Sequence, residues 1–205
     1  SLAATLDAGR ITTLGASVEL NAATLTLSGS GTLTVNDSAT VTSSAIVVGE
    51  GSSLSGSDSK IGGLTITDSA NNATVTVTAL AADANLSNIT LNGSNSNLAA
   101  TVTGNLTLNG SANLNGAAVS IADGFDLNLK DSELGTATIT DAGDNTVVTV
   151  TALAADANLT GITVNGTNSS LAATLDTDSV TTLGASANLN AATLTLSGSG
   201  TLTVN

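Results

Sequence analysis

Any chemistry in this chain has to come from its carboxylates, because 16 Asp and Glu face only 3 Lys and Arg and there is no His or Cys. Asp68 and Asp141 are equivalent, each following Ile-Thr and preceding a loop. Asp83 and Asp156 are equivalent too, inside two identical copies of VTVTALAADANL. Asp123, Asp126 and Asp131 cluster near Phe125, and Asp176 and Asp178 stand two apart. Calcium needs several oxygens converging on one point. Neither a GGxGxDx-type nonapeptide nor an EF-hand loop is present to supply them. The reading favoured here is that these are turn residues whose carboxylates cap backbone N–H groups, with calcium as the alternative.

Catalysis fits poorly. Acid–base work on a β-scaffold needs carboxylates beside Arg, Lys or His, or paired carboxylates at a fixed separation. The cations are Arg10, Lys60 and Lys130, far apart in sequence, and Arg10 is replaced by Ser179 in a repeated copy. Without His or Cys the usual nucleophile–base pairs cannot be assembled. No catalytic, cofactor-binding or metal residue is assigned, and the expectation is a protein that is not an enzyme. A net charge of −13 repels phosphate backbones and argues against nucleic-acid binding. No apolar run approaches transmembrane length, so membrane insertion is not expected.

The elements that would position these residues repeat. Ser1 to Asn36 and Ser170 to Asn205 differ at six positions only, an offset of 169. ITDSANNATV at Ile66 to Val75 returns as ITDAGDNTVV at Ile139 to Val148, an offset of 73 that continues through Asn88 to Val102 and Gly161 to Leu175. Leu2, Leu98 and Leu171 are then equivalent and should point inward at one corner. A shorter step of 19 separates Leu6 from Leu25, Leu14 from Leu33, Val102 from Ile121, Leu108 from Leu127, Leu129 from Val148, Leu175 from Leu194 and Leu183 from Leu202. Four, five and nine such steps approximate 73, 96 and 169, the additive behaviour of a solenoid.

Within a step, Ala23-Thr24-Leu25-Thr26-Leu27 and Thr32-Leu33-Thr34-Val35 alternate apolar and polar, with the turn Ser28-Gly29-Ser30-Gly31 between them. That pattern predicts short strands with one buried face, three to a turn. No helix is predicted. TALAADANL is too short to stand as one and reads as a corner with Leu80 and Leu86 inward. A hydrophobic content of 41% with one Phe and no Trp, Tyr or Met leaves a core of stacked Leu, Val, Ile and Ala. The fold class is all-β: a right-handed parallel β-helix, or β-solenoid, with turns of about 19 residues. Residues 1–205 are expected to form a single continuous array of about eleven turns, and the repeat of its opening phrase at its end leads to the expectation of an excerpt from a longer repetitive chain.

The phrase LNAATLTLSGSGTLTVN resembles the short repeats of filamentous-haemagglutinin-type adhesins and autotransporter passenger domains. The likeness rests on the Gly/Ala-x-Leu-x-Leu pattern and its period. The chain departs from those proteins in its lack of aromatics and basic residues. The resemblance implies a secreted bacterial surface protein at the cell surface, serving as an adhesin shaft or extracellular filament. Its partners would be continuation in the same chain or end-to-end self-association, with any receptor unknown.

Thr-x-Thr pairs at Thr24/Thr26, Thr32/Thr34, Thr40/Thr42, Thr65/Thr67, Thr74/Thr76, Thr138/Thr140, Thr193/Thr195 and Thr201/Thr203 suggest an alternative, an ice-binding module. One continuous file of these pairs would favour ice, and a scatter over several faces would favour plain outward strand positions. Sequons such as Asn85 and Asn105 follow from abundant Asn, Ser and Thr.

Overall fold

The computed structural model describes residues 3–6, 11–15, 19–21, 24–42, 45–154, 156–175, 180–183, 193–196 and 201–204. The chain divides into two compact units, Ser1–Thr101 and Val102–Asn205. Each is a parallel β-solenoid.

In the first unit, Ala3–Leu6, Ile11–Leu14 and Glu19–Asn21 form three sides of one turn. Each strand pairs in parallel with the strand one turn on: Thr24–Leu27, Thr32–Val35 and Thr40–Thr42 respectively. The first side continues through Ala45–Val48, Thr65–Asp68 and Ile89–Thr90. The second continues through Ser53–Gly56, Thr74–Val77 and Asn97–Val102. In the second unit one side runs Leu106–Thr107, Leu127–Lys130, Val147–Thr151, Ser170–Leu175, Thr193–Leu196. Another runs Ala118–Ile121, Thr138–Asp141, Ile162–Thr163, and Val180–Leu183 pairs Thr201–Val204. The turns at residues 3–21 and 24–42 carry the three strands that the alternation predicts, whereas after Ser53–Gly56 and Leu127–Lys130 a one-turn helix takes the third side, and after Thr74–Val77 and Val147–Thr151 a loop does.

The core follows from that alternation. Thr32–Val35, Ala45–Val48 and Thr74–Val77 share one burial pattern, with every second side chain inward. Leu33, Leu54 and Val75 stack as a fully buried file. Leu25, Ile46, Ile66 and Ile89 make a second. In the second unit Val119, Ile139 and Ile162 make a third. Like side chains in register leave no irregular space, which is why a core without aromatics packs.

The step length differs from the sequence reading. Leu6 stands beside Leu27, Leu14 beside Val35, Leu129 beside Val150, Leu175 beside Leu196 and Leu183 beside Val204, all 21 apart. Leu127 pairs Leu106 rather than Leu108. Other steps are 20, as Ala45 to Thr65 and Ala118 to Thr138, or 23, as Thr74 to Asn97 and Val147 to Ser170. Longer steps than 19 also leave fewer turns than eleven. The cause is the two-residue period of a strand: a slip of two keeps every apolar side chain on the apolar face. The pair Val102/Ile121 does keep the spacing of 19. Ala122 N–H donates to Val102 C=O at 3.0 Å, as Ser69 N–H does to Val48 C=O, whose register partner is Asp68.

Two one-turn helices, Asp58–Ile61 and Asp131–Leu134, were not predicted. They lie 73 apart, each on a 20-residue step. TALAADANL is non-helical at Thr78–Leu86, with Leu80 and Leu86 buried as expected. It lies on the 23-residue steps. Leu98 and Leu171 stand beside the buried Val75 and Val148, and both are half-buried. Leu2 lies outside the described residues.

Leu127 is fully buried between Leu106 and Val148. Leu127→Asp places an unpaired charge in that file and should cost several kcal/mol, on the order of 4. Urea unfolding checks this. A variant that unfolds at the parent's midpoint would mean the strand is misplaced.

Candidate functional site

Two carboxylates, Asp68 and Asp141, occupy equivalent corners of the two units. In the first unit the corner is built from Asp68–Asn72 and, one turn on, Asn92–Ser96. In the second it is Asp141–Asn145 and Asn165–Ser169. Asp68 and Asp141 end their strands and precede loops, as expected. They sit in register with the apolar Val48 and Ile121, so their side chains turn inward. Asp141 is 9% exposed.

A carboxylate facing inward needs donors, and two consecutive amides of the next turn supply them. Asn92 N–H donates to Asp68 Oδ1 at 2.9 Å and Gly93 N–H to Oδ2 at 2.7 Å. Asn165 N–H donates to Asp141 Oδ1 at 2.9 Å and Gly166 N–H to Oδ2 at 2.7 Å. Burial opposes ionisation of both carboxyls. The paired amides, with the hydroxyls of Ser96 and Ser169, outweigh it and hold both below the ordinary 3.8. Glycine is required at the gripped position: a Cβ on Gly166 would overlap the carbonyl oxygen of Gly143, and one on Gly93 that of Ala70.

The rest of the corner is tied the same way. Ser94 N–H donates to Asn71 Oδ1 at 2.9 Å, and Thr167 N–H to Asp144 Oδ1 at 2.7 Å. Asn72, Asn95, Asn145 and Asn168 adopt φ of 57–60°, a left-handed conformation that Asn tolerates. Their side chains stack, Asn95 Nδ2 donating to Asn72 Oδ1 at 3.4 Å and Asn168 Nδ2 to Asn145 Oδ1 at 3.2 Å.

Asp123, Asp126 and Asp131 do not converge. Each accepts from a different amide of the next turn: Asp144, Val147 and Ala154, at 2.8, 2.8 and 3.0 Å. Phe125 is half-buried beside them in sequence. Asp83 and Asp156 are exposed. Asp83 shares a cavity of about 330 Å³ with Asp58 and Asn85. Burial there, with the charge of Asp83, raises the Asp58 carboxyl above 3.8, against the Ala81 amide that lowers it. Asn85 and Asn105 accept backbone N–H from Ser87 and Asp126. Arg10, Asp176 and Asp178 lie outside the described residues. Among the described residues no three His, Cys, Asp or Glu side chains could hold a metal ion together, and no helix is long and apolar enough to cross a membrane.

The Thr-x-Thr pairs fall on five sheets. Thr24/Thr26, Thr32/Thr34 and Thr40/Thr42 occupy three successive sides of one turn. Sequence reasoning overlooked Ser-x-Ser, though. On the second side Thr32, Ser53 and Thr74 stand in register, as do Thr34, Ser55 and Thr76. The chain matches no known family model, no curated protein and no solved structure.

Asp141 offers a pH test with a definite sign. Its folded carboxyl is lowered, so the unfolded chain binds the extra proton as pH falls, and the stabilisation present above 3.8 is lost below it. Asp141→Ala should cost about 2 kcal/mol at pH 7, the range for hydrogen bonds to a charged group. The gap to the parent should narrow below pH 3.8. Denaturant titrations at several pH values measure it, and a gap independent of pH would contradict the assignment.

Proposed function

We propose that this chain is a structural repeat region, a shaft or filament segment of a secreted bacterial surface protein. The observation that carries the reading is where the polar side chains are spent. Asp68, Asp123, Asp126, Asp131, Asp141 and Asp144, with Asn71 and Asn105, each bind a backbone N–H of the following turn. Side chains that a binding or catalytic site would present to a ligand serve here to fasten one turn to the next. Turns joined only to their neighbours extend a molecule without changing its cross-section, the property a spacer needs. Extension by further turns, or by end-to-end association of copies, supplies the partner.

A second reading has one observation in its favour. The hydroxyls of Thr32, Ser53, Thr74, Thr34, Ser55 and Thr76 form two parallel files on one sheet. Strand geometry spaces them by about 4.8 Å across turns and roughly 6.7 Å along each strand, a regular polar lattice suited to ordering water as ice does. The motif on neighbouring sides weighs toward the shaft.

Immunogold electron microscopy of cells that produce the protein tests the first reading. It predicts label outside the cell envelope on extended rods. Label confined to the cell interior, or on isolated compact particles, would overturn it. Ice-growth inhibition by the purified chain, abolished by Ser55→Asp, would establish the second reading instead.

A further inference from the structure

The two one-turn helices occupy the same place in their units, and their third residues differ in sign: Lys60 in Asp58–Ile61 and Glu133 in Asp131–Leu134. The corners beneath them match as well. Ala39 N–H donates to Asn36 C=O, and Ala112 N–H to Asn109 C=O, both at 2.9 Å. Ala39 and Ala112 are 73 apart, as are Lys60 and Glu133. In the first unit the Lys60 ammonium donates to Ala39 C=O at 3.0 Å. A cation therefore bridges helix and corner there.

Glu133 cannot make that bond, because a carboxylate has no proton to donate. Its Oε2 instead accepts the Lys130 N–H at 2.8 Å. Its Oε1 is buried with no hydrogen-bond partner, and the residue is 4% exposed. Leaving a charged oxygen so placed is costly. Glu133 lines a groove of about 380 Å³ together with Ala112, Asn113 and Ser132. Asn113 Oδ1 already accepts the Asn115 N–H at 2.9 Å and keeps a second lone pair.

We propose that this groove binds a hard cation, with Glu133 as its anionic ligand and the Ala112 carbonyl opposite, where the Lys60 ammonium serves in the first unit. The donors are all oxygen: a carboxylate, a backbone carbonyl and the Asn113 amide oxygen, with water completing the shell. That is the chemistry of calcium rather than of a transition metal. The terminal torsion of a glutamate is broad, and turning the carboxylate toward an arriving ion exchanges its bond to the Lys130 N–H for coordination of the ion. One carboxylate places the site at the weak end of calcium affinities, about 10⁻³ M. The inference stands independently of the shaft reading.

The test is the thermal midpoint of the full chain at fixed ionic strength, with and without about 10 mM calcium chloride. The parent should rise by about 3 °C. Glu133→Lys recreates the first unit's bridge and should not respond. Glu133→Gln should lose most of the response, and it decides the matter should Glu133→Lys fail to fold. Asp156→Asn, which removes an exposed charge elsewhere, should respond like the parent. No rise in the parent would overturn the proposal. So would a parental rise in both Glu133 variants, or its loss in Asp156→Asn, since either would mean general neutralisation of the acidic surface.

Discussion

The corner amides are the constraint on which the rest of the structure depends. On the flat sides each backbone N–H meets the carbonyl of the strand one turn away, and the ladder satisfies itself. At a corner the chain leaves that ladder, and a turn of 19 to 23 residues holds several of them. Each unpaired amide costs about as much as a lost hydrogen bond. The chain answers with short acceptors of the right reach. Asp68 and Asp141 each take two amides, and Asn71, Asn105, Asp123, Asp126, Asp131 and Asp144 take one. Most of the negative charge whose partners are described is thus a consequence of corner geometry.

The same constraint explains the 20- and 23-residue steps. A 23-residue step carries the loop with Leu80 and Leu86, or Leu153 and Leu159, as buried anchors. A 20-residue step carries a one-turn helix, which climbs within the corner and closes its own hydrogen bonds, Ile61 N–H to Ser57 C=O at 3.0 Å and Gly62 N–H to Asp58 C=O at 2.8 Å. Copies at these corners are not perfect. Ala73 is buried in the first unit, and its counterpart Thr146 is buried with an unpartnered hydroxyl.

Much of this was readable in the sequence. Alternation at Thr24–Leu27 and Thr32–Val35 gives the strands, and the 73-residue repeat marks equivalent corners. The step was misread because Leu6 lies 19 residues from Leu25 and 21 from Leu27, and both are inward. Apolar matching cannot separate the two; only backbone pairing does. The helix DSKI was unreadable because a single turn has no periodicity to display. Capping by Asp was foreseen in kind, but not which amide each carboxylate meets. Glu133 escaped notice because Lys60 and Glu133 do not look like counterparts until the two helices are seen in the same place.

The turn register is the most exposed part of this account, and the absence of cysteine makes it directly measurable. Thr34 stands beside Ser55, 21 residues on, with both side chains outward. Neighbouring parallel strands place such Cα atoms about 4.8 Å apart, within disulfide reach, whereas the diagonal Thr34 to Ser53 is roughly 8 Å and beyond it. The measurement is disulfide yield under mild oxidation in two double variants. Thr34→Cys with Ser55→Cys should cross-link within the monomer nearly completely, and Thr34→Cys with Ser53→Cys should not. The opposite outcome would restore the 19-residue turn and contradict the corner pairing described above.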